Sequence, residues 1–114
     1  MGALAKDHKF GRVKDKYNPI PNAKERRHHI RVMALPCMGC KAEPAGVAHH
    51  PLMQSPLQRW RRDHEFAVPV CDTCHRDIHD VFGNEIEWAD KRACELPVRY
   101  AEFLRLEAIA EGLL

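Results

Sequence analysis

The run Cys71-Asp-Thr-Cys-His-Arg-Asp-Ile-His79 constrains this chain more than any other feature: a C-x-x-C pair passes directly into an H-x-x-x-H pair. A second C-x-x-C, Cys37 and Cys40, lies thirty residues upstream, and the tandem His49-His50 falls between the two. Four thiolates fill a tetrahedral Zn²⁺ site and leave no open position. Cys37, Cys40, Cys71 and Cys74 therefore read as a structural zinc staple. A chain of 114 residues buries roughly two-thirds of its unfolded surface, a modest core. The ~10–16 kcal/mol typical of structural zinc, much of it expressed as folding energy, is then a large share of stability. Pro36-Cys-Met-Gly-Cys40 reads as a tight knuckle in which Gly39 supplies unusual backbone angles. Cys94 has no partner motif and reads as a small apolar residue.

The histidines form a separate group. His75 and His79, at i and i+4, share one face of a helix and make a two-ligand element. His49 and His50 are adjacent on a short strand, so their side chains leave it on opposite sides. One can bind an ion while the other approaches a substrate; the spacing alone leaves open which does which. Cysteines in C-x-x-C pairs, with no apolar N-terminal run of signal-peptide type, favour metal over disulfides and a reducing cytoplasm. No stretch is apolar and long enough to span a membrane.

Along the chain, residues 1–22 read as a basic, flexible arm and residues 23–114 as one domain. Asn22-Ala-Lys-Glu25 predicts a capped helix with an apolar stripe of Ile30, Met33 and Ala34, ending before Pro36. Val47–His49 and Phe66–Val70 read as strands, with Pro69 marking an edge. A helix is expected from about Cys71 to Val81, stopped by Gly83-Asn84. A shorter one is expected around 85–92 with Trp88 as anchor. A C-terminal helix with Pro97 in its first turn should pack through Phe103, Leu106, Ile109 or Ala110, and Leu113. The net charge of +2 is uneven: residues 1–35 carry nine Lys/Arg against three Asp/Glu, whereas residues 85–114 carry four against seven. A basic first third fits contact with a phosphate backbone. Arg59-Trp60-Arg61-Arg62, in the loop between the strands, interleaves an aromatic with cations. It reads either as a phosphate-contacting segment or as a core tryptophan flanked by solvated arginines.

Taken together, Leu35-Pro-Cys-x-x-Cys, Ala48-His-His and Val68-Pro-Val-Cys-x-x-Cys-His-x-x-x-His79 resemble the HNH endonucleases of the ββα-metal fold. The similarity covers residues 23–88, and small phage and prophage nucleases of the recombination-enhancing type are the nearest in pattern. The resemblance implies an α+β fold: a ββα-metal core with a four-cysteine zinc staple, flanked by N- and C-terminal helices. It implies a metal-dependent DNase with DNA as partner, and a phage recombination or packaging protein as a further partner. It implies His50 as general base and His49, His75 and His79 as ligands of a catalytic divalent ion. Imidazole suits Mn²⁺, Ni²⁺ or Zn²⁺ better than Mg²⁺. Phe66 stands where the family has its central Asn. Asp63 or His64 is the expected substitute in bracing the loop. Two rivals stand beside this reading: a catalytically silent, zinc-stapled nucleic-acid-binding module of the same fold, and a zinc-stabilised adaptor. The tandem histidines and the H-x-x-x-H argue against the adaptor.

Overall fold

The computed structural model describes residues 20–114, so most of the expected basic arm, residues 1–19, lies outside the described part. The order is α1 (Ala23–Ala34), β1 (Val47–His49), β2 (Val68–Val70), α2 (Asp72–Arg76) running into a π-helical segment (Asp77–Phe82), α3 (Glu85–Arg92) and α4 (Pro97–Ala110). This is an α+β arrangement of helices around a two-stranded sheet.

The start of α1 is fixed by a reciprocal cap. Asn22 Oδ1 accepts from the Glu25 N–H at 2.8 Å, and Glu25 Oε1 accepts from the Asn22 N–H at 2.9 Å, which satisfies two otherwise orphaned donors. The buried face is not the expected one. Glu25, His28 and Val32 point inward, whereas Ile30 is 61% exposed. The reason is tertiary: α1 packs across both strands and turns polar residues toward the loop that precedes β2. Glu25 finds partners in the Asn22 N–H and the Arg59 guanidinium, which makes its burial tolerable.

The strands pair antiparallel, Val47 with Val70, Ala48 with Pro69 and His49 with Val68. Val68 and Val70 enter a core with Cys37, Phe66, Cys74, Ile78 and Trp88, while Ala67 joins Val32 and Leu104. With both faces covered, β2 is apolar throughout. The expected strand from Phe66 is shortened because β1 ends at His49, leaving 66–67 nothing to pair with. Pro69 cannot donate, and its carbonyl accepts from the Met38 N–H at 2.9 Å, tying the cysteine knuckle to the sheet.

Cys71 caps α2, its Sγ accepting from the Cys74 N–H at 3.4 Å. The helix then widens into a π turn, closed by Gly83 N–H to Ile78 C=O at 2.8 Å, with Gly83 at φ 69°. Asn84 caps α3 through the Glu87 N–H, and Trp88 on that helix is fully buried. Pro97 opens α4 as expected. The expected core stripe of α4, however, faces outward: Phe103, Leu106, Ile109 and Leu113 are exposed, and Pro97, Val98, Ala101, Leu104 and Ala108 are buried. Small residues win that face because α4 lies close against β2.

Candidate functional site

Cys37, Cys40, Cys71 and Cys74 converge, with Sγ atoms all within 4.8 Å of one another. The Cys40 and Cys71 sulfurs are 3.6 Å apart, near the roughly 3.8 Å edge of a tetrahedron with Zn–S bonds of ~2.3 Å. Burial pushes the Cys37 thiol up. The N–H groups of Cys40, Cys71 and Gly39 and the Cys74 thiol outweigh it and bring Cys37 down to about 7. Burial and the neighbouring Cys37 raise the Cys74 thiol instead. One ready thiolate beside reluctant thiols suits a cation that deprotonates the rest. Gly39 does not occupy the left-handed region; Lys41 does, at φ 70°. Glycine is required at 39 for space, since a Cβ there would lie 2.6 Å from Trp88 Cζ2 and 3.1 Å from Cys74 Sγ.

His49 from β1, His75 from α2 and His79 from the π turn form a second cluster within the same 4.8 Å limit. Their rings meet edge to face, with centroids 4.7–5.4 Å apart. Burial, then the nearby His49 and His79, lower the His75 imidazole, so its lone pair is available. The sequence did not single out the group that orients this cluster. Glu85, 1% exposed at the start of α3, accepts from His49 Nε2 at 2.7 Å. The same carboxylate accepts the N–H groups of Leu52 and Met53 at 2.8 and 3.0 Å. A carboxylate on Nε2 fixes the tautomer and leaves the lone pair on Nδ1 of His49. Its role is not legible from local spacing, because its partners lie more than thirty residues away.

His50 lines the same cleft as His49, His75 and His79, a cavity of about 550 Å³ that also receives Arg61 and Arg62. Burial, reinforced by His29, His64, Arg62 and His49, lowers the His50 imidazole to about 3. It is therefore neutral at physiological pH. Its Nε2 meets Nδ1 of His64 at 3.1 Å, and His29 Nε2 donates to the His64 carbonyl at 2.6 Å. His29 belongs to no spacing motif; only the closure of α1 over the loop brings it here.

The loop before β2 is built on Asp63, which is 1% exposed. It accepts from the Arg59 backbone at 3.0 Å, from the Arg59 guanidinium at 3.2 Å and from the Glu65 N–H at 3.1 Å. Burial pushes the Asp63 carboxyl up, but the Arg59 bonds outweigh it and hold it below the usual carboxylate range. Arg59 also reaches Glu25 and Glu65, so its half-exposed guanidinium is tied to the loop and to α1. Arg61 and Arg62 are exposed on the cleft wall, and Trp60 is half-buried outside the lining. Phe66 sits in the core at 1% exposure. Comparison with protein-family models, with curated proteins and with solved structures returns no match for this chain.

Proposed function

We propose that this chain is a metal-dependent endonuclease of HNH type acting on DNA phosphodiester bonds. One observation carries the reading: three imidazoles able to hold an ion and a fourth, neutral imidazole share one cleft wall with exposed arginines. The β1–β2–α2 order, with the ligands on the first strand and the helix, supports the same assignment.

His49, His75 and His79 are the ligands, and a divalent ion held there supplies Lewis-acid stabilisation of charge on the scissile phosphate and the leaving oxygen. Glu85 holds His49 in the ligating tautomer. His50 acts as base. When its proton sits on Nε2 and is donated to His64 Nδ1, its own Nδ1 keeps the lone pair that takes a proton from water. The low proton affinity of isolated His50 comes from burial and cationic neighbours. A bound phosphate backbone opposes those neighbours and raises it toward the useful range. Asp63 and Arg59 supply the rigid loop where the family has its Asn.

The roles separate experimentally. His50→Ala should cut single-turnover plasmid cleavage by ~10²–10⁴-fold with affinity at the His49, His75 and His79 site nearly intact. His79→Ala should weaken metal binding and recover in part with excess Mn²⁺ or Ni²⁺. Should His50→Ala lose the ion while His49→Ala keeps it, the two roles are exchanged. If neither substitution alters cleavage, the enzyme reading gives way to a silent nucleic-acid-binding module, the reading that Phe66 in place of Asn favours.

A further inference from the structure

We infer that His29, His50 and His64 form a second transition-metal site beside the first, and that filling it silences the cleft. The three residues come from three separate segments: α1, the position just after β1 and the loop before β2. Each can offer a nitrogen, and these nitrogens lie within 4.8 Å of one another, the same criterion that the His49, His75, His79 cluster meets.

The geometry of the two clusters is closely matched. Ring centroids in the second are 5.1, 5.3 and 5.8 Å apart, with interplanar angles of 63–86°. In the first they are 4.7–5.4 Å at 66–87°. Three ring nitrogens this close can share one ion. His50 Nε2 and His64 Nδ1 are 3.1 Å apart, close to the roughly 3.3 Å edge of a tetrahedron with metal–nitrogen bonds of ~2.0–2.1 Å. An ion would replace their shared hydrogen by two metal–nitrogen bonds. Among the described residues no carboxylate belongs to the cluster, so an all-imidazole set selects Zn²⁺, Ni²⁺ or Cu²⁺ over Mg²⁺.

Because the second site holds His50 by Nε2, the proton that Nε2 carried moves to Nδ1, and the neutral ring then has no lone pair left to take a proton from water. The site itself stands on geometry; its effect on cleavage rests on the nuclease reading above.

The test uses the full chain with its cysteine-bound zinc retained. Zn²⁺ is titrated calorimetrically, and bound zinc is counted by elemental analysis after gel filtration. The wild type should take up two further equivalents, His29→Gln one, and His29→Cys, which restores a ligand, two again. A wild type that saturates at one further equivalent, or a His29→Gln protein that keeps both, overturns the site. Plasmid cleavage against Zn²⁺ should rise and then fall in the wild type, and the falling limb should be absent in His29→Gln. Undiminished cleavage with both sites filled overturns the silencing. If no metal supports cleavage in any variant, the nuclease reading fails, and the zinc counts still decide the site.

Discussion

At the scale of single residues, the buried polar groups carry the most information. Glu85 has no role in the core except to hold His49 and the start of the following loop. Glu85→Gln removes the charge that favours a donating His49 Nε2. It should weaken metal binding at the histidine cluster ~10–100-fold while the cysteine-bound zinc content stays the same. Equal affinities in a calorimetric titration would show that Glu85 only anchors the loop. His28 makes a second case. It is 3% exposed, its Nε2 has no hydrogen-bond partner, and burial, with Arg31 and His29 adding to it, lowers its imidazole to about 4. The unfolded chain takes up a proton near pH 6.5 that the folded chain rejects until about pH 4. Stability is therefore full above 6.5 and is lost as pH falls across that window. Between pH 7.5 and 5.5 the linked loss is on the order of 1 kcal/mol. His28→Leu should remove it, giving a shallower fall in denaturant midpoint with pH than the wild type. Parallel curves would mean that His28 titrates alike in the folded and unfolded states.

At the scale of elements, the cysteine knuckle and α3 fold as one unit because Gly39 lets Trp88 pass against the backbone beside Cys74. Trp88 is fully buried, so an added methyl has nowhere to go. Gly39→Ala should cost ~1–3 kcal/mol by overpacking and speed the loss of zinc to a chelator. Unchanged melting and unchanged release would contradict the close approach. How much of this is legible in the sequence follows from the range of each signal. The cysteine staple, the Asn22–Glu25 cap, Pro97 at a helix start and the Gly83 stop are local patterns, and each falls where its spacing predicts. The buried faces of α1 and α4 differ from the expected ones, since Ile30 and Phe103 face solvent. Which side of a helix is covered depends on what packs there, and in α4 it is the small Ala101 and Ala108 that allow approach. Gly39 matters at the expected position for a different reason: clearance, not a left-handed angle. The roles of Glu85 and His29 cannot be read from local spacing because they arise only when distant segments meet.

At the scale of the whole molecule, the question is how the charges are shared between holding the fold and meeting a partner. Arg59, Arg61 and Arg62 look equivalent in sequence, but the structure divides them. Arg59 is ion-paired with Glu25, Asp63 and Glu65 and belongs to the loop. Arg61 and Arg62 stand on the wall of the cleft that contains His50 and the histidine cluster. If a duplex enters that cleft, these two cations displace its counterions, and each phosphate contact contributes about 0.9 to the slope of log affinity against log salt. Replacing Arg61 and Arg62 together by Ala should flatten that slope by up to ~1.8. Arg59→Ala should instead lower the melting temperature because it leaves buried Asp63 without its guanidinium partner. Binding of a catalytically dead His50→Ala background to a short duplex, measured over a salt series, gives the slopes without cleavage to confuse them. A double variant whose slope matches the parent would place the DNA on another face and detach the arginine loop from the cleft chemistry.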